Sequence, residues 1–281
     1  MPDPASPVRT AFVLGGGGVL GAAEVGMLRA LLERDVVPDL IVGSSVGALN
    51  GAILATDPSL ATVERMASVW TSLSRRAVFG STVVGQVATL ARHGTHLHDN
   101  GRLRALLDES LGGLAFSDLA VRFECVAASI ERAAAHWFDS GPVTDAVLAS
   151  CAVPGLLPPV EVGGEHFLDG GLVSSVPVGR AVAAGAERIF VLHVGRLDRP
   201  LVPPVRPWDV ALVAFEITRR HRFEEELAAR PDGVQVVVLP SGTGAPPLSL
   251  RYRSTASVPD RINAAYDAAS RHLRATLDVD Q

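Results

Sequence analysis

Cysteine is scarce in this chain: Cys125 and Cys151 are the only two in 281 residues. Two thiols make neither a disulfide framework nor a metal-ligand cluster, and both stand in apolar surroundings, where cysteine packs as a small hydrophobe. No apolar run reaches the roughly eighteen uncharged residues needed to span a bilayer. Residues 1–9 are Pro-rich and lack the basic start and apolar stretch of a signal peptide; they read as a disordered tail. A clustered basic face is also missing. The formal net charge is −5, and the arginines are scattered among acids, so no nucleic-acid partner is expected. Internal repeats and composition-shifted linkers are absent as well. These absences leave a soluble, cytoplasmic protein, with transient contact at a membrane surface still open and the oligomeric state unset.

What is present is the balance of a folded enzyme, 48% hydrophobic and 20% charged, in a chain long enough for one large α/β domain. The apolar run Thr10–Leu14 ends on four glycines, Gly15 to Gly18, and reads as a buried strand feeding a tight loop. A helical pattern follows over residues 21–34, with Val25, Leu28, Leu31 and Leu32 on one face. A second strand, Leu40 to Val42, ends on Gly43, and a second helix starts just past Ser45. Strand, helix, strand, helix in so short a span is a βαβ unit with parallel neighbours. Further strands are expected at 122–130, 134–138, 167–168, 188–194 and 234–239. Helices are expected at 143–150, 178–184, 208–230 and 257–277, and much of 58–114 reads as helical.

Three motifs fit one chemistry. The first is Gly43-Ser44-Ser45-Val46-Gly47, a GxSxG pattern at a strand-to-helix turn. A serine hydroxyl is a poor nucleophile unless it is held clear of its surroundings near a base, and such a turn does this when small residues flank it. The amide after Ser45, at a helix N-terminus, faces a developing negative charge favourably. The second is the run Gly15–Gly18, whose amides can approach an oxyanion with no Cβ in the way. In a parallel sheet it emerges at the same edge as the Ser45 turn, where open α/β folds place their sites. Gly16, Gly18 and Gly21 also spell the dinucleotide pattern GxGxxG, which wants an acid at the end of the second strand. That position holds Ser44 and Ser45, while Asp39 stands at the strand's beginning. A phosphate-cradling loop would need a lysine after Gly21, and none is there.

The third motif is Asp169-Gly170-Gly171, an acid at a strand end, which alone is a common turn. The base for Ser45 has to come from the histidines or from this acid. His193 lies in the expected strand 188–194, and His221 and His272 sit on polar helix faces. None follows a late strand in a loop, so the pattern favours a Ser45–Asp169 dyad with Asp169 as the direct base. Residues 77–98 offer apolar surface as a cover for an acyl pocket, or as ordinary core-packing helix. His93, His96 and His98 in that segment read as a polar loop rather than a metal site.

The ordered blocks Gly16-Gly17-Gly18-Val19-Leu20-Gly21, Gly43-Ser44-Ser45-Val46-Gly47 and Asp169-Gly170-Gly171 resemble a bacterial patatin-like phospholipase. Gly47-Ala48-Leu49-Asn50-Gly51, Ser150-Cys151-Ala152-Val153-Pro154-Gly155, Pro158-Pro159 and Val176-Pro177 support the match, which extends over residues 10–194. The resemblance implies a three-layer α/β/α fold around a mostly parallel sheet, in one domain over 10–278 that varies after about 200. It implies a Ser45–Asp169 dyad and an oxyanion hole from the backbone of Gly16, Gly17 and Gly18. It further implies hydrolysis of fatty acyl esters of phospholipids, lysophospholipids or neutral lipids through an acyl-enzyme, with no cofactor or metal. One position departs. The family often has Arg or Lys where this chain has Leu20, a cation associated with the oxyanion loop or the lipid phosphate. Leu20 points toward a neutral ester, or toward the alternative of a weakly active or non-catalytic protein that binds lipid or a partner.

Overall fold

The computed structural model describes residues 7–76, 96, 98–194, 200–205, 207–242 and 258–277. Its strands are β1 (Thr10–Leu14), β2 (Leu40–Ser44), β3 (Arg122–Ser129), β4 (Ala134–Phe138), β5 (Val160–Val162), β6 (Glu165–Asp169), β7 (Arg188–Leu192) and β8 (Gln235–Leu239). They form one sheet in the order β5-β6-β3-β2-β1-β7-β8, with β4 also paired to β3. β3, β2, β1, β7 and β8 run parallel, while β4, β6 and β5 are added antiparallel. The sheet is therefore mixed. Its antiparallel end arises because the chain reverses twice by hairpins, at Ile130–Ala133 and at Gly163-Gly164. Both of these glycines have positive φ, 61° and 82°, the pair of left-handed residues that a two-residue hairpin turn requires.

The helices are α1 (Ala22–Leu32), α2 (Val46–Thr56), α3 (Leu60–Arg76), α4 (Gly101–Leu111), α5 (Val143–Ser150), α6 (Val178–Ala183), α7 (Pro207–Ala228) and α8 (Val258–Leu277). Side chains alternate across each strand, so the central strands divide their residues between two cores. Phe12, Leu14, Ile41, Phe123, Phe190 and Leu192 pack with residues of α1 to α5 and α8. Ala11, Val13, Leu40, Val42, Ile189 and Val191 pack with α6 and α7. Burial on both faces explains why these strands read as continuous apolar runs, and it gives the three layers α/β/α. α1 is buried nearly all round because α8 covers its outer side. The stripe that does so is Val258, Ile262, Ala265, Ala269 and Leu273.

Glu124 of β3 is buried on the α6 face, where Arg122 at 2.7 Å and Arg180 of α6 neutralise it. At the inner end of the expected N-terminal tail, Val8 is buried and the Arg9 N–H donates to Asp39 Oδ2 at 3.0 Å. Residues 8 and 9 thus belong to the fold, and residues 1–6 lie outside the described residues. So do 77–95 and 97, almost all of the segment read as a cover.

Candidate active site

Ser45 sits between β2 and α2 with φ 54° and ψ −123°, a conformation L side chains rarely adopt and one found at functional turns. The flanking glycines are there for space. A Cβ on Gly43 would lie 2.6 Å from the Ala48 Cα, and one on Gly47 would lie 2.2 Å from the Leu14 carbonyl oxygen. The turn is also held from a distance. The Ser45 N–H donates to Ser150 Oγ at 2.9 Å, and the Cys151 thiol donates to the Ser45 carbonyl at 3.1 Å. Cys151 is therefore more than a small apolar filler. Burial, with the nearby Asp169 adding to it, raises its thiol well above the ordinary range, so it remains a neutral donor.

Asp169 ends β6. Its backbone N–H donates to the Ala152 carbonyl at 2.9 Å, so residues 150–152 fasten both the serine turn and the acid. Ser45 Oγ–H donates to Asp169 Oδ2 at 2.6 Å, within the range of a hydroxyl bonded to a carboxylate. The Gly171 N–H donates to Oδ1 at 2.7 Å, giving each carboxylate oxygen one donor. Asp169 is 4% exposed. Burial, opposed by those two hydrogen bonds, pushes its pKa from the ordinary 3.8 up to about 6.

β1 and β2 are parallel neighbours, so the glycine run leaves the sheet at the same edge as Ser45. The three amides expected there are not equivalent. The Gly16 N–H donates to the Ser175 carbonyl at 2.8 Å, because Gly15 and Gly16 continue the hydrogen bonding of β1, and it is engaged. Among the described residues, the amides of Gly17 and Gly18, and that of Val46 at the start of α2, make no backbone hydrogen bond of this kind. Gly18 has φ 56° and opens a one-turn 3₁₀ helix, Gly18–Gly21. Leu20 lies in that turn and packs on the core below.

His193 follows β7 rather than lying inside it. It is buried against Phe223, with ring centroids 5.9 Å apart, and the Arg219 Nη1 is 3.3 Å from its Nδ1. His221 is exposed beside Glu225. Asp39 accepts the N–H groups of Arg9 and Thr10 at the start of the sheet. Its carboxylate thus serves the opposite edge from the glycine run. Among the described residues, no group of three His, Cys, Asp or Glu side chains could hold a metal. His93 lies outside them.

Two features are not marked by the motifs. Ser150 bonds across 105 residues, and its one signal is its place in the supporting block before Asp169. The second is a buried network beneath the glycine run. Asn50 Nδ2 donates to the Gly21 carbonyl at 3.0 Å and to Glu24 Oε2 at 2.7 Å, while Trp70 Nε1 donates to Asn50 Oδ1 at 2.9 Å. Burial raises the Glu24 carboxyl well above its ordinary value.

Comparison with known proteins identifies the family. The family model described as patatin-like phospholipase matches residues 12–182. The chain is 31% identical over 195 residues to lysophospholipase nte1 of Aspergillus terreus, spanning 66% of this chain and 12% of that protein. It is 32% identical over 193 residues to a patatin-like phospholipase domain-containing protein of Caenorhabditis elegans, ZK370.4, spanning 66% of this chain and 14% of that one. The chain thus corresponds to a small part of the curated relatives it matches. Among solved structures, VipD from Legionella pneumophila superposes with a TM-score of 0.51 at 14% identity, covering 96% of this chain and 67% of VipD, a likeness of fold. The serine turn, the glycine run and the acid all stand at one edge of a three-layer sandwich, and the chain belongs to the patatin-like phospholipase family.

Proposed function

We propose that this protein hydrolyses the acyl ester of a lysophospholipid or related lipid, with Ser45 as nucleophile and Asp169 as general base. The observation that carries the reading is the 2.6 Å hydrogen bond from Ser45 Oγ to a buried carboxylate. A base acts best when its pKa lies near the working pH, and burial moves Asp169 in that direction. As Oγ attacks the ester carbonyl, its proton passes to Asp169 Oδ2. The tetrahedral oxyanion is met by the amides of Gly17, Gly18 and Val46, donors already in place where charge develops. Collapse expels the alcohol, which takes the proton from Asp169, and leaves an acyl group on Ser45. Asp169 then draws a proton from water as it attacks the acyl-enzyme, and passes that proton to Ser45 Oγ as the fatty acid leaves, which restores both residues.

The matched relative named a lysophospholipase supports that substrate class. No helix among the described residues is long and apolar enough to cross a membrane, which accords with our reading of a cytoplasmic enzyme that meets lipid at a surface. One domain over 10–278 is supported by the single sheet running from β1 to β8 and by α8 packing back on α1. Assignment to the bacterial branch of the family rests on the motif blocks alone.

The test uses lysophospholipid and a p-nitrophenyl ester. Ser45→Ala and Asp169→Asn should each lower turnover by at least about a thousandfold, and a fluorophosphonate should label Ser45 in the native chain. Retained turnover in either variant defeats the dyad. Absence of labelling in folded protein favours the non-catalytic binding alternative.

A further inference from the structure

The run Gly15–Gly21 must hold amides in position without side chains to pack it. Consecutive glycines have the greatest backbone freedom of any residues, and a single 3₁₀ turn does not sustain itself. Its ends are fastened by the Gly15 N–H to the Leu192 carbonyl at 3.1 Å, the Gly16 N–H to the Ser175 carbonyl at 2.8 Å, and Asn50 Nδ2 to the Gly21 carbonyl at 3.0 Å. Between them, the crown Gly17–Leu20 has a local bond, the Leu20 N–H to the Gly17 carbonyl at 3.2 Å. Among the described residues it receives one recorded hydrogen bond from elsewhere in the chain. That bond comes from Arg261 Nη1 to the Val19 carbonyl, at 2.7 Å and across 242 residues.

Arg261 is held there by the packing of its helix. α8 lies so close to α1 that a Cβ on Gly26 would sit 2.1 Å from the Ile262 carbonyl oxygen and 2.8 Å from the Tyr266 nitrogen. On the other side of this crossing, Arg29 stacks over the Tyr266 ring at 4.5 Å, and the Tyr266 hydroxyl donates to Glu33 at 2.6 Å. These contacts fix the height and rotation of α8, and with them the residue next to Ile262. Arg261 is half-buried, and its one recorded hydrogen bond among the described residues is the one to Val19. A guanidinium carries five donors in a rigid fork and stays charged. It grips a carbonyl more firmly than a neutral donor would, and the glycine run has no cation of its own.

We propose that Arg261 is a positioning residue of the hydrolase: by gripping the Val19 carbonyl it fixes the crown, and so aims the Gly17 and Gly18 amides at the ester oxygen over Ser45. This rests on the function proposed above. The cation acts through the loop backbone and not on the substrate, so its effect is the same for neutral and phosphate-bearing esters. It also gives a loop that contains Leu20 its fastening from outside.

The test compares native protein with Arg261→Met, Arg261→Lys and, as a control on the same helix, Arg271→Met at an exposed position. Hydrogen exchange of peptides covering 15–21, without substrate, should be at least about tenfold faster in Arg261→Met and intermediate in Arg261→Lys. It should be unchanged in Arg271→Met. A misplacement of about 1 Å in a site costs about a hundredfold in rate. Arg261→Met should therefore lower kcat by about ten- to a hundredfold on a p-nitrophenyl ester and on lysophospholipid alike, with KM within about twofold. Fluorophosphonate labelling should slow in parallel. Should Arg261→Met fail to fold, Arg261→Gln, which keeps a donor but loses reach and charge, gives the same comparison. Unchanged exchange over 15–21 overturns the proposal, as does native kcat in Arg261→Met. A loss confined to KM for the phosphate-bearing ester also overturns it, by making Arg261 a headgroup ligand. If native protein proves inactive, the hydrolase reading falls, and the exchange experiment alone decides whether Arg261 holds the loop.

Discussion

At the scale of single residues, the site depends on a carboxylate that burial makes costly. An acid whose pKa is higher folded than unfolded favours folding while protonated. The penalty for Asp169 begins above its ordinary 3.8 and is complete above about 6. At about 1.4 kcal/mol per pKa unit, this amounts to about 3 kcal/mol at neutral pH. Asp169→Asn should therefore resist urea better than native protein at pH 7.5, by about 2–3 kcal/mol, and the difference should shrink toward zero near pH 4. With Asp169 as the proposed base, kcat/KM of the native protein should fall on the acid side with a midpoint near pH 6, measured on a neutral ester whose own ionisation is constant. Ser150→Ala removes the acceptor of the buried Ser45 N–H. It should cost about 1–3 kcal/mol and lower kcat more than it changes KM, because the turn that aims Oγ loosens. Ser45 and Asp169 are legible in the sequence because each stands in a short motif at a strand end. Ser150 is not, since the partner of its hydroxyl lies in a different part of the chain. The Gly16 amide could not be separated from those of Gly17 and Gly18, because its acceptor, the Ser175 carbonyl, is brought near by folding alone.

At the scale of elements, periodicity located most helices and the parallel strands, whose apolar runs and amphipathic stripes are local properties. β5 is too short to show an alternation. Its signal is the Gly163-Gly164 pair, a hairpin turn hidden in a stretch that otherwise reads as loop. Antiparallel addition at that end follows from the hairpins rather than from strand composition. The glycines make a sharper comparison between elements. Gly112 ends α4 with φ 59° and has nothing within 4 Å of where a Cβ would lie. Gly112→Ala should cost only about 1 kcal/mol, the strain of the left-handed conformation. Gly26→Ala drives a methyl into the backbone of α8, and should cost about 3 kcal/mol or more by forcing two packed helices apart. Urea melts of the two variants, side by side, check this ordering.

At the scale of the whole molecule, the two cores respond differently to acid. His193 belongs to the α7 side, where burial first, then Arg219 and Arg220, lower its pKa from 6.5 to about 3. The unfolded chain takes up that proton first, so stability is lost as pH falls from 6.5 toward 3. Asp169 works the other way between about 6 and 3.8. His193→Phe should gain about 3 kcal/mol relative to native protein between pH 6.5 and 4.5, read from urea midpoints at the two pH values.

The pair Ser45 and Asp169 is separated by 124 residues, and the acid lies in the antiparallel part of the sheet, joined to β2 through β3. On the proposed dyad, a nascent chain that has emerged only as far as β3 holds a serine with no base, and is chemically silent however well its first βαβ unit has formed. Reactivity therefore arrives late in the life of the polypeptide, when the far end of the sheet docks. The order in which the chain is read thus keeps the two halves of the proposed dyad apart until the sheet is complete.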